Sequence, residues 1–196
     1  VIFGSEGISR EVLTIIDDIN EKSKTFDFIG FIEDDVNKIG ISKLGYKVVS
    51  ADEIFEEFSK SFERLAAVIP QGNPKIKERI YLKIKHIKNI FFPNLIHPDV
   101  KIRNTIRLGI GNVITSGVKM TCDIEIGDFN LINLNSTIGH DTKIGNFNVI
   151  NPLVSVSGGV TIGDKNLIGT GANILQYLEI SNNTTIGANA CLTKNA

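Results

Sequence analysis

The chain has 196 residues, of which 42% are hydrophobic and 22% charged, and its formal net charge is -1. That length buries a sizeable core without disulfides, and near-neutral charge excludes a global electrostatic pull toward nucleic acid or anionic membrane. No apolar run is long enough to span a bilayer, so no membrane insertion is expected. Cys122 and Cys191, the only two cysteines, stand far apart, which fits a reducing, cytoplasmic compartment and predicts packing roles for both.

In chain order, Val1 to Phe3 reads as a buried strand entering the glycine turn GSEGIS. An amphipathic helix follows, with Val12, Ile15, Ile16 and Ile19 on one face. The stretch FDFIGFIEDD is a second strand ending in Glu33, Asp34 and Asp35, and Tyr46 to Val49 is a third. Ser50-Ala51-Asp52-Glu53 reads as a helix cap and leads into a helix through Phe58. LAAVIP is the next strand, followed by QGNP, a basic helix from Lys75 to His86 and a last strand from Asn89 to Phe92. Alternating strands and helices predict an α/β domain of Rossmann-like type over residues 1–92, and the proline-bearing FFPNLIHPDV marks the boundary. Within that junction His97, fixed before a proline, is an entry-coil residue.

From residue 93 to 196 a different rule holds. Every sixth residue from Ile102 to Leu192 is aliphatic or Met, and two before each stands a second set that is small, aliphatic or Asn. This period predicts short strands with both members facing inward, the pattern of a hexapeptide β-helix. Asn94, Asn112, Asn130, Asn148 and Asn166 recur every eighteen residues, as do Gly109, Gly127, Gly145 and Gly163. Three hexads make one triangular coil, so these asparagines should stack as an amide ladder at one inner corner.

The candidate chemistry lies on the outer turns. Ile138 is inward and Gly139 takes the corner, so His140 and Asp141 should project outward together. An imidazole there can accept a proton near neutral pH, and the adjacent acid can fix its tautomer. The small residues Gly158, Gly159, Thr170, Gly171, Ala172, Gly187 and Ala188 either form turns or let an extended ligand approach. Gly4, Ser5 and Gly7 surround a helix start suited to an anion, but without the G-x-G-x-x-G spacing of redox dinucleotide sites. Three scattered histidines give no metal cluster, so no metal is expected.

Taken together, GSEGISREV, FIGFIEDD, QGNPKIKERI, NLIHPDVKI, NSTIGHDTKIGNF, IGTGA and IGANACLTK resemble a family of sugar acyltransferases. It includes UDP-4-amino-sugar and perosamine N-acetyltransferases and sialic acid O-acetyltransferases. The resemblance implies a Rossmann-like domain followed by a left-handed β-helix, a homotrimer, and acetyl-CoA lying along the β-helix between subunits. It makes His140 the catalytic base, Asp141 its acidic neighbour and Asn133 an active-site residue. Cofactor contacts would fall on Gly158, Gly159, Thr170, Gly171, Ala172, Gly187, Ala188 and Lys194. The nucleotide of an activated amino sugar would meet Gly4, Ser5, Gly7, Asp34, Asp35 and Gly72. The implied reaction is N-acetylation of that amino sugar for surface glycans; the alternatives are O-acetylation of a sialic-acid-like sugar and a non-enzymatic trimeric scaffold. Three positions depart from the family: Val149 replaces a second His found in many relatives, Ile8 replaces a His of some glycine loops, and no Gly-Asn-Pro-Ala segment follows Lys194.

Overall fold

The structure, a computed structural model, describes all residues from Val1 to Ala196. The N-terminal region contains β1 (Ile2–Phe3), α1 (Ile8–Lys22), β2 (Phe31–Glu33), β3 (Ser42–Lys43), β4 (Tyr46–Ala51), α2 (Phe55–Ser59), β5 (Leu65–Ala66), α3 (Pro74–Ile84) and β6 (Ile90–Phe91). Its sheet runs β3-β4-β2-β1, and a parallel bridge from Ile2 to Val68 carries it on to β5 and β6. Every pairing except β3 with β4 is parallel. The chain leaves β1 toward β2 on one side while β5 lies on the other, which makes the carboxyl ends of β1 and β5 the topological switch point of an open α/β sheet.

Three local expectations are corrected. Ser50 caps no helix: it is fully buried in β4, and α2 starts after Ile54 without a side-chain cap. The second strand is shorter than FDFIGFIEDD, because Asn20 binds the backbone of Phe26 through both its amide oxygen and nitrogen and Gly30 turns at φ 155°. A Cβ at Gly30 would stand 2.5 Å from the Lys47 carbonyl oxygen, so only glycine admits β4 here. Both cysteines are exposed rather than packed.

From Leu95 onward the chain forms a parallel β-helix whose strands pair with those eighteen residues away. One face stacks Leu95–Ile96 through Thr185–Ile186, a second stacks Ile106–Leu108 through Glu179–Ile180, and a third stacks Lys119–Met120 through Cys191–Leu192. The hexad residues from Ile114 to Ile186 fill one continuous core, whereas Ile102, at the start of the series, is exposed. The amide ladder is present. The backbone N–H of Asn130 donates to Asn112 Oδ1 at 2.8 Å, that of Asn148 to Asn130 Oδ1 at 2.9 Å, and that of Asn166 to Asn148 Oδ1 at 2.8 Å.

The two regions share a core. Val12, Ile15 and Ile16 of α1 cluster with the outward residues Leu95, Val113, Leu131 and Val149 of the first face. Val149 is fully buried against the N-terminal region. On the corner after the second face, Phe129 and Phe147 stack in parallel 5.2 Å apart beneath Tyr81 of α3. At the entry coil the His97 ring lies 2.8 Å from both Asp18 of α1 and Asp99, tying helix to coil.

Candidate active site

Each of the first four turns after the third face puts a residue in the left-handed backbone region: Asp123, Asp141, Gly159 and Tyr177, with φ between 54° and 70°. Stacking holds the strained turn at Asp141, whose N–H donates to the Cys122 carbonyl at 3.2 Å, while the Gly159 N–H donates to the His140 carbonyl at 2.7 Å. His140 and Asp141 project outward as expected, with side chains 55% and 66% exposed. His140 Nδ1 lies 2.7 Å from Asp141 Oδ2. A carboxylate can only accept, so the ring carries its proton on Nδ1 and presents the Nε2 lone pair. The imidazole leans onto Gly158, where a Cβ would stand 2.5 Å from Nε2. Tyr177 lies over Gly159 in the same way. The Gly158-Gly159 pair thus makes room for two rings of its own chain.

Asn133 is on another corner. It follows Leu131–Ile132 of the first face, is largely buried, and its Oδ1 accepts from the Leu134 N–H at 2.8 Å. His140 follows Thr137–Ile138 of the third face, so one chain does not bring the two together. The residues expected to line a cofactor divide likewise. Gly158, Gly159 and Lys194 share the His140 corner, while Thr170, Gly171, Gly187 and Ala188 lie on the turns after the first face. Gly187 is open, with no atom within 4 Å of a Cβ position. Ala172 is fully buried in the coil core and offers no side chain to a ligand outside it.

A cavity of about 270 Å³ opens at the switch point of the N-terminal sheet. Gly4 and Ser5 enter it from the end of β1, Asp34 from β2. Helix α1 begins there after Gly7, φ 47°, with no side-chain cap; the Ser9 and Arg10 N–H groups donate to the Glu6 and Gly7 carbonyls, which leaves the Ile8 N–H at the helix start for an anion. Gly7, Asp35 and Gly72 are not among the lining residues. The Asp35 carboxylate instead accepts from the Asn37 N–H at 2.9 Å, starting a short 3-10 turn.

Sequence reasoning missed the polar lining residues Glu6, Ser9, Lys38, Asp52, Gln71 and Arg79. Lys38 Nζ donates to Glu33 at 2.8 Å and Asp34 at 3.2 Å. The hydrogen bond from Lys38 holds the Asp34 carboxyl below its ordinary value, and the bond to Glu33 holds Lys38 above its own. Burial pushes Asp52 up, against the pull of Lys83. The cavity therefore offers cations, carboxylates and a helix start together, a set suited to a phosphorylated, hydroxyl-rich ligand. No group of three or more His, Cys, Asp and Glu side chains forms a metal-binding cluster, and no helix is long and apolar enough to cross a membrane.

Comparison with known proteins places this geometry. Residues 1–84 match the PglD N-terminal domain family. No curated protein sequence matches the chain. Among solved structures, a mutant of perosamine N-acetyltransferase from Caulobacter crescentus in complex with CoA and GDP-perosamine is similar with a TM-score of 0.89. It is 20% identical, over 99% of this chain and 88% of that one. The acetyltransferase domain of PglB from Neisseria gonorrhoeae has a TM-score of 0.86 and 24% identity, over 99% and 90% of the two chains. WeeI from Acinetobacter baumannii gives 0.75 and 21%, over 98% and 92%. These likenesses establish the fold, a short α/β region followed by a left-handed β-helix. The first two of these structures are acetyltransferases by name.

Proposed function

We propose that this chain is an acetyl-CoA-dependent N-acetyltransferase that acylates the amino group of a nucleotide-linked amino sugar for surface glycans. The observation that carries the reading is the His140–Asp141 pair, an oriented base with its Nε2 lone pair presented on an exposed turn of the β-helix. The switch-point cavity supports it, since Gly4, Ser5 and the start of α1 suit a nucleotide's phosphates and Asp34 suits a hydroxyl. The similar structure from Caulobacter crescentus was solved with both CoA and GDP-perosamine.

Acetyl-CoA supplies the acetyl group as a thioester, which the sugar amine attacks as the new N–C bond forms and the C–S bond breaks. His140 Nε2 takes the proton released from the attacking nitrogen, and Asp141 stabilises the resulting imidazolium through Nδ1–H. Gly158 keeps the ring seated against the coil. Asn133, Thr170, Gly171, Gly187 and Ala188 lie on a different corner from His140, and they complete the cleft only when a second subunit supplies that corner. We therefore assign a homotrimer with three equivalent clefts, working in the cytoplasm. The test is release of free CoA on incubation with acetyl-CoA and UDP-, GDP- and dTDP-linked amino sugars. Release with at least one amino sugar, and none with its hydroxyl counterpart, is expected; acetylation of the hydroxyl sugar instead would overturn the N-acetylation reading.

A further inference from the structure

Tyr177 is the most exposed large hydrophobic side chain of the protein, 74% accessible, and it stands on the same corner as the base. Its backbone is left-handed, φ 60°, which a bulky residue adopts only under constraint. The other aromatic residues in that conformation, Phe129 and Phe147, are used for packing beneath Tyr81. Nothing in the chain covers Tyr177 in this way. Its ring rests on Gly159, while the His140 ring rests on the preceding Gly158. The two rings therefore flank one glycine step, with Tyr177 displaced toward the carboxyl-terminal coils. Residues 159 and 177 are one coil apart and 141 and 177 two coils, roughly 10 Å along the axis at the usual strand spacing.

That placement separates Tyr177 from the sugar side of the site. The N-terminal region covers outward positions of the first face only as far as Leu167, so Tyr177 belongs to the coils beyond it. Lys194 continues the same corner one coil above Gln176. An extended chain reaching His140 from those coils crosses the free face of the phenol.

We propose that Tyr177 is a binding residue for the pantetheine arm of acetyl-CoA, packing its ring face on the methylenes and its hydroxyl near the amides. This rests on the acetyltransferase reading. Tyr177→Ala should raise the KM for acetyl-CoA about tenfold, as expected for uncovering a few tens of Å² of apolar surface. With turnover at saturation and the KM for the amino sugar held within about twofold, the loss is one of binding alone. Calorimetric titration with CoA, which needs no turnover, should weaken by the same factor, and Tyr177→Phe should retain most of the affinity. Unchanged CoA affinity would overturn the proposal. So would a raised KM for the sugar, or dissociation of the oligomer, which would make the ring a subunit contact. His140→Ala run in parallel keeps the two readings apart: if it retains turnover the assigned base is wrong, whereas the CoA titration judges Tyr177 on its own.

Discussion

Lys77 of α3 donates from Nζ to the Phe129 carbonyl of the β-helix at 3.0 Å, and the ammonium is entirely buried. The Asn148 carbonyl lies 3.4 Å from the same nitrogen. A lysine in this setting locks the N-terminal region to the turn that carries the two stacked phenylalanines. It also leaves a thermodynamic signature, because burial lowers its pKa to about 7.

The sign follows from linkage. Between about pH 7 and the ordinary lysine value the unfolded chain binds the proton more strongly than the folded one, so stability rises with pH across that window. Below it the destabilising contribution is complete, and above it the contribution is gone. Lys77→Met should remove this slope from a series of urea midpoints between pH 6.5 and pH 10; an identical slope in the variant would contradict it.

The amide ladder gives a second test. Asn148 accepts from the Asn166 N–H and donates from its own amide to Asn130 Oδ1 at 3.0 Å. Asn148→Leu strands the Asn166 N–H inside the coil and should cost about 1–3 kcal/mol in urea unfolding. An unchanged midpoint would mean the ladder contributes nothing to stability.

Gly158 tests the seat of the imidazole. Its backbone is not left-handed, so alanine is tolerated there by the chain but not by the ring, which must swing away from the added methyl. Gly158→Ala should lower kcat by about tenfold or more while stability stays within about 1 kcal/mol. Equal turnover would show that the seated position of His140 is irrelevant to the reaction.

On the proposed reading, the candidate residues divided between two corners meet only across a subunit boundary. Sedimentation should report a trimer at micromolar concentration. A monomer that still releases CoA would remove the shared cleft from the account.

Much of this was legible in the residues, and the parts that were not have physical reasons. The hexad period specifies a repeating inward face, and the eighteen-residue recurrence of Asn specifies the triangular coil, because both are local rules repeated without interruption. The same register already places Cys122 two residues past Met120 on a turn and Cys191 outward beside Leu192, so their exposure could have been read from the pattern. Lys77, Ile80 and Ile84 share the buried face of α3; a helix judged by its charge alone hides that. The cavity residues Lys38, Gln71 and Arg79 meet only through the order of strands, which no local pattern encodes. Ser50 misled because a good capping residue also fits a buried strand end, where packing overrides the local preference.

Asp141 and His140 should contribute unequally. Asp141→Asn keeps the hydrogen-bonding shape at Nδ1 but removes the charge that favours the imidazolium, so kcat should fall by less than it does on loss of the ring.

The most direct test is the steady-state turnover of His140→Ala at saturating acetyl-CoA and amino sugar. A general base is worth roughly a factor of a hundred to ten thousand, so kcat should fall by that order while CoA binding is nearly unchanged. A variant that keeps more than about a third of wild-type turnover, far short of the loss expected for a general base, would contradict the assignment of His140.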